Sequence, residues 1–275
     1  MATTDATDDE SADPADRSSP SLLALVKVVT RKRILLHIRY PVNTLTRFLS
    51  MFIIFAVIFF GGRQVAGAAL TDSLDGVIAG FFLLTLATVA YSGLAMNVSR
   101  EAQWGTLERL FMSPHGFGTV MAVKTLVNIC VSFIWGAALL LLMMLTSGRW
   151  LHVDPLTVIP LASLMLVSIV GIGFAFAGLA LVYKRIESGF RLMQFVFIGL
   201  IAAPAGSVEA LKLLPVTHAS YLTRVAMEQG VRLWEFPAGE LGVLVATSAV
   251  YLLAGFYCFH RAQLRARRQG LMGQY

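Results

Sequence analysis

The residues with the clearest chemical arrangement lie at 100–114, in the order Arg-Glu-Ala-Gln-Trp-Gly-Thr-Leu-Glu-Arg-Leu-Phe-Met-Ser-Pro. Trp104, Leu107 and Phe111 recur at i, i+3 and i+7, one face of a short helix. Glu101, Glu108 and Arg109 put charges elsewhere on it. Ser113-Pro114 ends it, because proline disfavours helical backbone in the residue before it. Such a helix breaks no bonds. It offers an aromatic anchor and charges that a soluble protein can grip. Periodicity alone leaves two readings open, a docking element and a plain surface connector.

A second polar set lies inside apolar stretches. Thr85, Thr88, Tyr91 and Ser92 place hydroxyls along one stretch, and Asn128 and Ser132 stand at i, i+4 on another. Such side chains either line a substrate path or hydrogen-bond between helices. Glu209 and Lys212, at i, i+3, have the spacing of a local ion pair. The nearest approach to a phosphate-binding loop is Gly118-x-x-x-x-Val123-Lys124-Thr125. It has valine where a second glycine would let the backbone approach phosphate. Lys124 reads instead as a cationic anchor at a membrane interface. No Ser-His-Asp or metal-binding constellation is visible, and Cys130 and Cys258 sit in apolar runs, read as small core side chains. The chain is expected to bind no metal or cofactor and not to be an enzyme by itself.

The elements that position these residues follow from composition. Of the 275 residues, 57% are hydrophobic and 14% charged, against about 25% charged in soluble domains. That much apolar surface must partly face lipid. Six apolar stretches are long enough, or nearly so, to cross a bilayer: 44–62, 76–98, 125–147, 156–183, 190–206 and 241–260. The fifth is short and meets Pro204, so a helix there crosses and then breaks. Residues 207–239 alternate apolar clusters with charges and read as one or two short helices dipping back into the outer leaflet. Gly171, Gly173 and Gly178 suggest close helix packing in the fourth span.

Residues 21–40 read as an amphipathic helix lying on the inner membrane surface. Residues 1–20 form an acidic tail, expected to be disordered and unlike a signal peptide. With the N-terminus inside, 17 Lys and Arg fall on inner segments and 5 on outer ones. Both termini are therefore placed in the cytoplasm. The basic charges flank apolar spans, which favours lipid over nucleic acid as their partner.

The pattern Glu101-x-x-x-Gly105-Thr106-Leu107-Glu108-x-Leu110-x-x-Ser113-Pro114 closely resembles the signature of ABC-2 type transporter permeases. In that family the segment, residues 100–112 here, is the coupling helix, seated in a cleft of the ATP-binding subunit. The resemblance extends over nearly the whole chain after residue 20, so that 21–275 form one transmembrane domain. It implies an all-α polytopic membrane protein with an interfacial N-terminal helix, six spans, a coupling helix and a re-entrant outer segment. The ATPase-coupling residues are then Glu101, Trp104, Gly105, Thr106, Leu107, Glu108, Leu110, Phe111, Ser113 and Pro114. It further implies a cell-membrane exporter subunit that pairs with a second permease copy, identical or related. A separate ABC ATPase would hold ATP and Mg. Two rival classes stand beside it. A secondary carrier would need ionisable groups at mid-depth, which the second, third and fourth spans lack. A membrane-embedded enzyme or scaffold would need convergent polar residues at one depth.

Overall fold

The structure is a computed structural model that describes residues 21–66, 74–103, 116–183 and 187–268. The described residues form helices and turns without a strand. The α-helices are α1 (Leu22–Arg39), α2 (Pro41–Ala66), α3 (Leu74–Gln103), α4 (Gly116–Ser147), α5 (Pro155–Val182), α6 (Glu187–Ala202), α7 (Thr217–Gln229) and α8 (Ala238–Arg268). Two 3₁₀ turns, Glu209–Leu213 and Leu233–Glu235, flank α7.

Local chemistry sets the boundaries. Ser21 caps α1 by accepting from the Ala24 amide at 3.2 Å. Tyr40 leaves the helical region (φ −121°, ψ 61°) because Pro41 follows, and Pro41 then opens α2. Asp154 caps α5, accepting from the Leu156 amide and, at 2.7 Å, from the Thr157 hydroxyl. Thr157 in turn accepts from the Leu233 amide at 3.0 Å, tying the start of α5 to the second 3₁₀ turn. Gly230 ends α7 in the left-handed region (φ 72°), where glycine carries no Cβ penalty. Val216, just before α7, also has a positive φ of 73°, a costly conformation for a β-branched residue.

Among the described residues, five helices are long and apolar enough to cross a membrane, over Thr44–Gly62, Leu74–Leu94, Gly118–Ser147, Pro155–Val182 and Ala238–Ala266. The fifth stretch, expected at 190–206 and to break at Pro204, is the 16-residue α6. At 1.5 Å per residue it spans about 24 Å, short of a hydrocarbon core of about 30 Å. The reason is local: Ala203 precedes Pro204, and the chain turns there through Ala205–Ala203 and Ser207–Pro204 backbone hydrogen bonds. The cysteines also differ from expectation. Cys130 and Cys258 are both exposed on the outside of the bundle, since an apolar run in lipid has an apolar exterior as well as a core.

α5 stands at the centre, packed against α3, α7 and α8. Two-thirds of its apolar stretch is buried, against 11% for α2 and 17% for α8. The closest approach is between α5 and α8. A Cβ at Gly255 would run into the Gly171 carbonyl oxygen, and one at Gly171 into the Tyr251 carbonyl oxygen. One turn before Gly171, the Ser168 hydroxyl donates to Ser248 at 3.3 Å. Further along, a Cβ at Gly178 would lie 3.0 Å from the Phe259 Cα. Between lipid-soluble helices, dispersion and such hydrogen bonds replace the hydrophobic effect, so small residues set how much contact forms.

Gly255→Leu should therefore pry α5 from α8 and cost about 1–3 kcal/mol. Gly242→Leu on the same helix, where a Cβ meets nothing within 4 Å, should leave stability within about 0.5 kcal/mol. Thermal melting of the two variants in detergent tests this. Equal melting temperatures would remove the α5–α8 contact as the source of the packing.

Candidate functional site

α3 and α4 pack along each other and are joined by residues 104–115. The uncharged run of α3 ends at Ser99, and the helix continues unbroken through Arg100 and Glu101 to Gln103. The last four residues, 100–103, carry it about 6 Å past that run at 1.5 Å per residue. α4 begins at Gly116, which has φ 74°. Residues 100–103 are a direct prolongation of α3 and not the start of a separate helix. Of the expected coupling residues, Glu101 lies in the last turn of α3. Trp104, Gly105, Thr106, Leu107, Glu108, Leu110, Phe111, Ser113 and Pro114 lie outside the described residues.

The six polar residues of the apolar stretches have different fates. Thr85 and Ser132 donate to carbonyls of their own helices, Phe81 at 2.8 Å and Ile129 at 2.7 Å. Ser92 reaches the Val89 carbonyl only weakly, at 3.4 Å. Thr88 is half-buried. Tyr91 is buried edge-on among Phe176, Phe190 and Phe197, with ring centroids 5.2–6.2 Å away. Its hydroxyl has no hydrogen-bond partner among the described residues. Asn128 alone of the six bridges helices. Its amide donates to the Ala90 carbonyl of α3 at 2.7 Å, and its oxygen accepts from Arg33 Nη2 of α1 at 2.9 Å. α3 approaches so closely here that a Cβ at Gly93 would overlap the Asn128 amide.

Asn128 and Arg33 sit in a cleft of about 90 Å³ between α1, α3 and α4. Lys32, Lys124 and Thr125 complete its polar lining, and Val29, Leu36, Leu94 and Met121 are among its apolar walls. Burial, and secondarily the charge of Arg47, pull the Arg33 guanidinium below its ordinary value. The Thr125 hydroxyl is buried without a hydrogen-bond partner among the described residues. Sequence reasoning singled out Asn128 but not Arg33. An arginine in a basic run looks like any headgroup contact until the fold shows what its guanidinium touches.

With this geometry in place, comparison with known families becomes informative. A profile described as ABC-2 family transporter protein matches residues 64–257. The chain belongs to the ABC-2 transporter family. Searches among curated proteins and among solved structures find no match. The matched residues include the α3–α4 connection, the whole of α5 and α6, and nearly all of the apolar part of α8. The chain is thus a multi-pass membrane permease component of the ABC transporter type.

In this ABC-2 protein the other end of the bundle is held by ion pairs. Lys212 donates to Glu240 Oε1 at 2.6 Å, so its ion pair joins it to α8 and not to Glu209. That hydrogen bond, chiefly, holds the Lys212 ammonium above its ordinary value. His218 Nε2 lies 3.0 Å from the Glu240 carbonyl oxygen and 3.2 Å from its Oε2. Both are acceptors, so Nε2 carries the hydrogen. Arg149 at the end of α4 pairs with Asp75 at the start of α3 at 3.0 Å. The sequence held no signal for the Lys212–Glu240 and Arg149–Asp75 partnerships, because each joins residues far apart along the chain.

The fit of Asn128 against Gly93 is testable by a double-mutant cycle. Gly93→Ala should destabilise because its methyl lands on the Asn128 amide. Asn128→Ala should destabilise by loosing Arg33 and the Ala90 carbonyl, about 1–3 kcal/mol. The double variant should be more stable than the sum of the two losses by about 0.5–3 kcal/mol. Strict additivity of the melting shifts would show that the two residues do not touch.

Proposed function

We propose that this chain is the permease subunit of an exporter in the cell membrane, powered by ATP hydrolysis in a separate ABC ATPase. The observation that carries this reading is the packed α3–α4 pair, of which α3 runs past its uncharged stretch to Gln103, directly before most of the family signature in the sequence. In the sequence the signature, Glu101 to Pro114, runs from the last turn of α3 through the connection to α4. ATP can drive such a transporter only through different affinities for its two states. A stiff helix continuous with a membrane-crossing one is suited to carry that difference into the bundle.

Charge supports the orientation. Lys27, Arg31, Lys32, Arg33, Arg39, Arg47 and Lys124 belong to the α1 end of the bundle, with Arg261 and Arg265 of α8. That excess assigns this end, and with it both termini, to the cytoplasm. Topology favours six crossings. α5 ends at the α1 end and α8 starts at the opposite one, so α6 must return the chain across the bundle despite its 16 residues. The 3₁₀ turns and α7 then form the re-entrant outer segment, its irregular backbone tolerated because it packs on protein. α1 is the interfacial helix, with Leu23, Val28 and Ile38 exposed to lipid.

The exposed apolar faces of α2 and α8 supply surface for lipid and for a second permease copy, identical or related. Two such permeases would work with two ATPases, which hold the ATP and Mg. The chain itself carries no catalytic residue in this reading.

Trp104→Ala combined with Glu108→Arg should reduce co-purification of the cognate ATPase at least tenfold and abolish ATP-dependent transport. Membrane insertion and melting temperature should be unchanged. ATPase capture and transport at the level of the unaltered protein would refute the docking role.

A further inference from the structure

A phenylalanine at position 91 would fill nearly the same space as Tyr91 without its oxygen. The Tyr91 ring is 1% exposed and meets Phe176 of α5 and Phe190 and Phe197 of α6 edge-on. Its hydroxyl is buried with no hydrogen-bond partner among the described residues. A buried hydroxyl left unpaired costs stability, and hydrocarbon rings offer nothing to hold a bridging water. In this arrangement the oxygen only destabilises. It is useful only in an arrangement where something accepts from it.

α6 is the element that can give way. It packs along α3 and on α7, and hydrogen bonds tie its far end to α7. Ser220 donates to the Ile201 carbonyl at 3.4 Å, and Arg224 to the Ala203 carbonyl just past the helix at 3.5 Å. Around Tyr91 the contacts are between rings, which part without breaking a hydrogen bond. On its outward side Leu192, Phe195 and Ile198 are exposed. A compound dissolved in the bilayer therefore reaches the α3–α6 seam along an apolar surface. The cluster sits toward the α1 end, since Ala90, beside Tyr91, takes the Asn128 amide next to Arg33 of α1. In the proposed orientation this is the cytoplasmic side, where an exporter collects its cargo.

The residues also narrow the chemistry of that cargo. A neutral tyrosine hydroxyl donates, so the ligand must bring an acceptor oxygen. Ring edges pair with the face of another aromatic system. Phe176, Phe190 and Phe197 supply no counter-charge, and an ion taken out of water without one is costly. We propose that Tyr91 selects the substrate: its hydroxyl donates to the carbonyl oxygen of an uncharged aromatic compound that enters from the bilayer between α3 and α6. This inference rests on the reading of the chain as a permease, and not on its direction of transport or its ATPase.

The test uses the full-length protein in lipid nanodiscs with benzophenone as the probe, an uncharged diaryl ketone that attaches to nearby C–H bonds on irradiation. Mass spectrometry should place saturable labelling on residues 85–94 and 190–197. Tyr91→Phe should lower that labelling about three- to tenfold, the worth of one hydrogen bond. The same variant should melt at the same temperature or higher, because it loses an unpaired buried oxygen. Diphenylmethane, the same skeleton without the carbonyl, should compete at least several-fold more weakly than unlabelled benzophenone. A lowered melting temperature in Tyr91→Phe would show the hydroxyl already satisfied in the resting fold and would overturn the proposal. Labelling unchanged by Tyr91→Phe, or diphenylmethane competing as well as the ketone, would remove the hydrogen bond. Labelling that never saturates, or falls elsewhere, would remove the site. No ATPase takes part, so a failure of docking in the Trp104/Glu108 variant neither produces nor hides any of these results.

Discussion

A hydrocarbon interior offers no hydrogen-bond partner to a backbone amide or carbonyl, and each unsatisfied group there costs several kcal/mol. That constraint makes every crossing segment of this chain a helix. It also removes the usual driving force for packing, because a leucine is as comfortable in lipid as in a protein core. What remains is contact quality. The α5–α8 seam shows how it is obtained: Gly171, Gly178 and Gly255 let two backbones approach to atomic contact, and Ser168 and Ser248 add a hydrogen bond across it. α5, so held, becomes the buried post around which α3, α7 and α8 are arranged.

The two ends of the bundle solve the opposite problem, fixing polar groups where apolar contact runs out. At the α7 end, Glu240 gathers Lys212 and His218, and Asp75 takes Arg149. These pairs join α8 to the irregular segment before α7, and α3 to α4, so the short turns stay docked on the bundle. At the α1 end the dominant polar residue is Asn128, which spends its amide on α3 and its oxygen on Arg33 of α1. The chemistry of the two ends differs accordingly. One is tied through opposite charges, the other through the amide group of Asn128.

The protein's class was legible before any coordinates. Charge density, the apolar runs and the signature around Glu101, Gly105-Thr106-Leu107-Glu108 and Ser113-Pro114 pointed to an ABC-2 permease, and the family match over residues 64–257 agrees. Span lengths were less legible. Hydropathy rises and falls gradually, whereas helices end at discrete backbone events: the break at Pro204 was legible, but not that α3 continues past its uncharged run to Gln103. Burial was misread where it concerned lipid. Cys130 and Cys258 lie in apolar runs and are exposed, because composition cannot tell the lipid-facing side of a helix from its protein-facing side.

What the sequence by itself determined is the solvent and the kinship. Fifty-seven per cent hydrophobic residues with 14% charged require a bilayer, and eight positions within residues 101–114 carry the family signature. What only the tertiary structure decided is which residues meet. Arg33 with Asn128, Lys212 with Glu240 and Gly171 with Gly255 are separated by 95, 28 and 84 positions. No local periodicity encodes such pairs. They depend on the rotation and offset of whole helices, set by side-chain contacts summed along their length.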